Sequence, residues 1–314
     1  MKRQTILVTG GAGFIGSHLC EKLLTKGYQV ICFDNLSAGQ KKNISHLKDL
    51  VFVKGDANIF SDLEKIFKSQ KLFAVFHYAA MVGVKRTLEN PVAVLDDINS
   101  TRHVLNLALK FGKPKIIFAS SSEVYGEPVE IPEIEKGHVN AKMPYSVVKL
   151  YCEKLLEAYW QEYQLPICAL RFFNVYGPRQ ESSDYGFVVG IFIKRALKGL
   201  PPQIYGDGTQ TRDFVFINDN VEASIRALES SAVNGEVINI GTGRPTTILD
   251  LAEEIAAVCS PEKEIKPEFL AKRDDVRHRF PDIGKMRCLL NFRPRYSLRE
   301  GLAETIRWYQ KNEK

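Results

Sequence analysis

The chain has 314 residues, 45% of them hydrophobic and 25% charged, enough for one large core with a smaller attached domain. Its formal charge of +6 comes from scattered basic residues with no groove-reading motif. That argues against nucleic-acid binding and leaves either a surface excess or help with an anionic small molecule. No run of about 18 apolar residues is present, and Met1-Lys2-Arg3-Gln4 leads straight into a strand-like run, so neither a membrane span nor a signal peptide is expected. The six cysteines, at 20, 32, 152, 168, 259 and 288, form no CxxC; most have apolar neighbours, as buried thiols of a reducing, cytoplasmic setting would. The six histidines stand singly, without the spacing of metal ligands.

In chain order, Ile6-Leu7-Val8-Thr9 predicts a strand that ends in glycines, followed by a helix from Ile15 to Lys26 that Gly27 stops. Further strands are predicted at Val30–Phe33, Val51–Val53, Ala74–His77, Lys115–Ala119 and Ile167–Leu170, with helices at about 60–69, 92–111 and 146–163. This alternation predicts a parallel sheet covered on both faces. After Arg171 it loosens. A loop from Asn174 to Gly186 precedes a helix at about 187–198, a polar turn at 205–209, a strand at 213–216, a helix at about 219–229 and a strand at 237–240. Thr247 can cap a helix running to about Val258, and a closing helix is predicted at about 299–310.

Gly10-Gly11-Ala12-Gly13-Phe14-Ile15-Gly16 lies between the first strand and the first helix, where a pyrophosphate cradle belongs. Gly10 permits the tight turn, Gly13 a close approach of phosphate to backbone, and Gly16 tight helix–sheet packing. The helix start, with Phe14 and Ile15, offers free N–H groups to an anion. Asp34 ends the second strand 21 residues past Gly13, where a carboxylate accepts from both ribose hydroxyls of NAD and repels the 2′-phosphate of NADP. The expected fold is therefore α/β, a Rossmann-type doubly wound parallel sheet with a smaller C-terminal substrate-binding α/β domain, and the expected cofactor is NAD. Residues 1–173 would hold the cofactor, with elements of about 210–243 returning to that domain; 174–209 and 244–314 would mainly hold substrate. Asp56 is a candidate for the adenine edge, with an Asx turn as the alternative. Ala79 and Ala80 are small enough to let the cofactor lie along the fourth strand, and His77 reads as a packed, hydrogen-bonded residue.

Ser120-Ser121-Ser122-Glu123 follows directly on the strand ending at Ala119, the end of an open α/β sheet that carries chemistry. Tyr145 and Lys149, four apart at the start of a predicted helix, share one face. An ammonium there should lower the phenol pKa from its usual value near 10, and so make Tyr145 a proton shuttle at neutral pH. A serine would donate to the sugar oxygen while Lys149 holds the nicotinamide ribose. Glu123 is either a solvated carboxylate or a second titrating group.

With these residues in place, the chain resembles the extended short-chain dehydrogenase/reductase family, in its nucleotide-sugar epimerase, dehydratase and decarboxylase branch. The resemblance rests on Val8–Gly16, Asp34-Asn35, His77-Tyr78-Ala79-Ala80, Ser120–Ser122, Tyr145-x-x-x-Lys149, Arg171–Arg179, Gly206–Asp213 and Asn239-Ile240-Gly241, and spans essentially the whole chain. It implies that Ser121 works with Tyr145 and that Asn35 belongs to the cofactor site. It also implies that Asn174 and Arg212 meet a sugar-nucleotide pyrophosphate, the latter with a guanidinium suited to a diphosphate. By the same resemblance, the helices at 92–111 and 146–163 would form a homodimer.

The branch shares oxidation at C4 of the sugar. His77–Val84 resembles the epimerase pattern and lacks the serine-proline stretch common in UDP-glucuronate decarboxylases, which makes 4-epimerisation of a UDP-sugar the leading expectation. Ser121-Ser122-Glu123 instead resembles the decarboxylase and GDP-mannose 4,6-dehydratase triplet, in which the glutamate acts; dTDP-type dehydratases place an aspartate at Ser122. The run from Asp274 to Ile283 is also decarboxylase-like, and Lys272-Arg273-Asp274-Asp275 replaces the usual Arg-x-Gly-Asp of epimerases. Lys272, Asp275 and Arg277 are candidates for holding ribose or phosphate, and Lys85 with Arg86 for a uronic-acid carboxylate; each basic residue has a solvated surface charge as its alternative. A fold that kept its cofactor but lost turnover, and an NADP reductase of small carbonyls, are the competing classes. Intact Ser121, Tyr145 and Lys149 disfavour the first; Asp34, Asn174 and Arg212 disfavour the second.

Overall fold

The computed structural model describes residues 3–183, 186–259, 266–272 and 276–312. The first half consists of β1 (Thr5–Thr9), α1 (Phe14–Thr25), β2 (Gln29–Asp34), β3 (Val51–Lys54), α2 (Phe60–Ser69) and β4 (Leu72–His77). It continues with α3 (Val84–Glu89), α4 (Pro91–Leu95), α5 (Asp97–Lys110), β5 (Lys115–Ser121), α6 (Pro144–Tyr163) and β6 (Ile167–Phe172). The second half holds β7 (Asn174–Tyr176), α7 (Val188–Leu197), β8 (Gln203–Tyr205), β9 (Thr211–Arg212), β10 (Phe214–Phe216) and α8 (Ile217–Glu229). After it come β11 (Glu236–Ile240), β12 (Thr246–Thr247), α9 (Ile248–Cys259), β13 (Glu268–Leu270), α10 (Gly284–Leu290) and α11 (Leu298–Asn312).

Seven parallel strands form the central sheet in the order β11-β6-β5-β4-β1-β2-β3. Alternate residues of each strand point to opposite faces, so Ile6 and Val8 enter the core that includes Leu19 and Leu23 of α1 and Ala223 of α8, while Leu7 enters the one built with α2, α5 and α6. Strand order reverses direction between β4 and β1, and the crevice outside the carboxyl ends of these strands is where such sheets bind ligands. Among the described residues no helix is long and apolar enough to cross a membrane.

Three expectations are corrected. The helix predicted over 92–111 is divided at Asp96 into α4 and α5, and the Asp97 carboxylate that opens α5 accepts from the Met81 backbone N–H at 2.7 Å, holding the loop after β4. The predicted loop 174–186 begins as a strand, because Asn174–Tyr176 pairs in parallel with Phe214–Phe216. The polar turn predicted at 205–209 begins one residue later, because Tyr205 closes a strand, 203–205, that pairs with 268–270. Of the returning elements, β11 joins the sheet beside β6, and α8 packs on α1.

Candidate active site

A cavity of about 2810 Å³ opens along the carboxyl ends of the strands. Every site residue anticipated from the sequence lines it except Asp275, which lies outside the described residues.

At one end is the glycine turn. Gly10 has φ +69°, and a Cβ there would lie 2.8 Å from the backbone of Tyr78 and Ala79, so only glycine lets the turn press against the end of β4. A Cβ on Gly16 would collide with the Gly10 carbonyl, which explains the third glycine as a packing requirement. Gly13 caps α1 without any side-chain hydrogen bond, and no acid occupies the first turn, so the positive end of the helix dipole faces the cavity uncompensated from within. Asp34, 7% exposed, accepts from the backbone N–H of Ala12 (3.0 Å) and Leu36 (2.8 Å), which fixes its carboxylate at the end of β2. Asn35 donates to Asp56 at 3.0 Å, and Asp56 also accepts from the Asn58 backbone at 2.8 Å: the Asx turn forms and the residue still faces the cavity. This cradle fits a dinucleotide: backbone donors for the pyrophosphate, a fixed carboxylate for the ribose, and Ala79 and Ala80 flanking the path between them.

His77 is buried between Thr9 (2.8 Å) and the hydroxyls of Ser100 and Thr101 (both 3.2 Å). Burial, with Lys149 nearby, pushes its pKa down to about 3, so it is a neutral packed residue, as its sequence context predicted.

Beyond His77, the end of β5 meets the start of α6. Ser121 caps the short turn Ser122–Tyr125 by accepting from the Glu123 N–H at 3.2 Å, and its hydroxyl lies near enough to the Tyr145 phenol to act on its pKa. Lys149 donates to the Ala119 carbonyl at 2.8 Å and lies over the rings of Phe118 (4.8 Å) and Tyr145 (5.5 Å). The expected depression of the Tyr145 pKa is not found. Loss of solvent raises it well above the ordinary phenol value, the Glu123 charge raises it further, and the nearby Ser121 hydroxyl opposes them. The four-residue spacing does place Lys149 beside the ring, but the Ala119 carbonyl holds its ammonium. Burial in turn lowers the Lys149 pKa.

Asn174 and Arg212 line the far end of the cavity. The Asn174 backbone N–H donates to Asp213 O at 3.0 Å, while its side-chain Nδ2 is buried without an acceptor among the described residues. Because Asn174 also lines the cavity, that donor is open to a ligand oxygen. Lys85 and Lys272 are exposed at the rim; Arg86, in contrast, bonds Val82 O and pairs with Glu181 at 3.1 Å. Arg279, only 8% exposed and also lining the cavity, was not among the residues singled out from the sequence. Its only signal there was its position inside the run 274–283.

Fold and cleft together define a dinucleotide-dependent enzyme of the doubly wound α/β class. Residues 6–241 match the model of the NAD dependent epimerase/dehydratase family, and the chain belongs to that family. NAD is its cofactor. A crystal structure of UDP-glucose 4-epimerase with UDP-glucose from Thermotoga maritima superposes with a TM-score of 0.94 at 37% identity, over 99% of this chain and 100% of that one. UDP-glucuronic acid 4-epimerase from Bacillus cereus, solved with UDP-glucuronic acid and NAD, has a TM-score of 0.90 at 33% identity, over 98% and 99% of the two chains. The UDP-N-acetyl-α-D-glucosaminuronate decarboxylase of Bacillus cytotoxicus is 35% identical over 326 aligned positions, covering 99% of each chain.

Proposed function

We propose that the protein inverts C4 of a UDP-linked hexose, N-acetylhexosamine or uronic acid. The observation that carries this reading is that Ser121, Tyr145 and Lys149, the last with its ammonium 5.5 Å from the Tyr145 ring, line one continuous cavity together with the glycine turn, Asn174 and Arg212. NAD held by the glycine turn and Asp34 would supply a reversible hydride acceptor for C4, with no net consumption. In this reading Ser121 orients the C4 hydroxyl, Tyr145 takes its proton and gives it back, and Lys149 holds the cofactor ribose. Ser122, buried at the head of the turn, borders the sugar, and Asn174 and Arg212 hold the diphosphate while the 4-keto sugar turns over. Incubation with UDP-glucose, UDP-glucuronate, UDP-N-acetylglucosamine, dTDP-glucose and GDP-mannose tests this. Mass spectrometry and NMR should show a C4 epimer of unchanged mass from a UDP-sugar. Loss of carbon dioxide or water would overturn it.

Decarboxylation is the second reading, because Glu123 lines the cavity and acts electrostatically on Tyr145. The variant Glu123→Gln separates the two. Removing a charge that raises the Tyr145 pKa should shift the acid limb of the kcat/KM profile to lower pH and leave epimerisation within about tenfold. Collapse of turnover with the fold intact would favour decarboxylation or dehydration.

Asp34 underlies NAD selectivity in this proposal. Asp34→Ala should weaken NAD binding by about tenfold or more, since hydrogen bonds to a charged group contribute about 1.5–3 kcal/mol each. Calorimetry should also show a narrower preference for NAD over NADP. The division into a cofactor domain (1–173, with about 210–243) and a substrate domain (174–209 and 244–314) belongs to the same proposal. So does a homodimer through α5 and α6, supported by Val147 and Tyr151 exposed on α6. Six unpaired cysteines support a reducing, cytoplasmic setting.

A further inference from the structure

Glu133 lies in a proline-flanked loop, yet it is 3% exposed. Its backbone is stitched to the C-terminal segment: its N–H donates to Phe280 O at 3.0 Å, and its carbonyl accepts from Asp282 N and Asn239 Nδ2, both at 2.9 Å. These bonds carry the side chain inward, and among the described residues neither carboxyl oxygen has a hydrogen-bond partner. Arg279, in the paired segment, shows the matching defect. Its terminal nitrogen donates to Gly126 O at 3.1 Å while its buried Nε has no acceptor.

The charges acting on Glu133 are Arg279 first, then Arg212 and Arg171, opposed by Asp213. Arg171 is held two-toothed by Glu153, and Asp213 accepts from the backbone of Thr242 and Arg244 and from the Thr242 hydroxyl. Nearby Glu135 accepts from Asn239 N and Asp282 from Gly284 N. Arg279 and Arg212 are therefore the two cations that both act on Glu133 and line the cavity. Burial outweighs all of them and pushes the Glu133 carboxyl up to about 8, so at neutral pH it is largely uncharged.

We infer that Glu133 is a positioning residue behind these two arginines: as a neutral acid it leaves them turned to a bound diphosphate, and as a carboxylate it competes for them. The inference rests on the nucleotide-sugar reading of the cavity. By linkage, a diphosphate that engages the arginines must also favour the neutral form of Glu133, so binding near the titration midpoint takes up a proton.

UDP is the probe, titrated calorimetrically into the NAD-loaded protein in buffers of different ionisation heat at pH 8, and across pH 6.5–9.5. Relative to Glu133→Gln, the unaltered protein should take up protons on binding UDP, and its affinity should fall about three- to tenfold more between pH 7 and 9. Glu133→Gln should show neither effect while keeping its low-pH affinity and its NAD affinity. Glu133→Met should give the same flat profile if loss of charge, and not of shape, is responsible. Equal proton uptake in the unaltered protein and both variants overturns the inference alone. Failure of UDP to bind any of them overturns the nucleotide-sugar reading and the inference together.

Discussion

Tyr145→Phe should lower kcat by about 10²–10⁴-fold, the usual contribution of a positioned proton-transfer group, while NAD and UDP binding change by less than about threefold. The substitution removes one oxygen from a part-buried ring and leaves the start of α6 otherwise unchanged, so thermal stability should fall little. The pH dependence has a definite sign. In the free protein burial and the Glu123 charge hold the phenol protonated well above the ordinary range, so the base form gains population as pH rises. The unaltered enzyme should show kcat/KM increasing with pH through neutrality, and the variant should lose that limb. If its ammonium were released from Ala119 O, Lys149 would act on the phenol oxygen and add to the lowering that Ser121 already supplies. A Tyr145→Phe enzyme with near-normal kcat and an unchanged pH limb would remove this residue from the chemistry.

The contrast between spacing and charge at Tyr145 marks where the sequence stopped being legible. The i, i+4 relation correctly put phenol and ammonium on one helix face, but it fixes Cβ positions only. Where a four-carbon stem sends its ammonium depends on the nearest carbonyl, here that of Ala119 on strand β5. The cofactor half was readable because β-branched runs, a glycine turn and a strand-ending aspartate each have a local cause. By contrast, β7, β8 and β13 exist only through partners some 40 or more residues away, and three-residue runs carry no period. Glu133 was invisible for the opposite reason: a glutamate between Pro132 and a polar stretch looks solvated, and only the pairing with 280–282 carries it inside. Arg279 needed the cavity to be drawn before its position meant anything.

Glu153→Ala should be among the most destabilising single changes outside the apolar core. Arg171 and Glu153 are 5% and 3% exposed and pair through two nitrogens at 2.9 and 2.7 Å, while the Ser120 hydroxyl donates to the same carboxylate. The guanidinium also stacks over Tyr125 at 4.7 Å and donates to Glu135 O at 3.2 Å. Removing the carboxylate leaves a buried guanidinium uncompensated, a defect that costs about 3–5 kcal/mol, and the melting temperature should drop by roughly 5–10 °C. The double variant Glu153→Leu with Arg171→Met should recover most of that loss, because apolar residues of similar volume often replace a buried ion pair without penalty. Activity need not recover with it. Ser120 immediately precedes Ser121, and the carboxylate is the acceptor that fixes this end of β5 against α6, the two elements that carry Ser121 and Tyr145. A double variant that regains its melting temperature but keeps a lowered kcat would separate the role of the pair in aligning the serine with the tyrosine from its role in stability; full recovery of both would make the pair structural only.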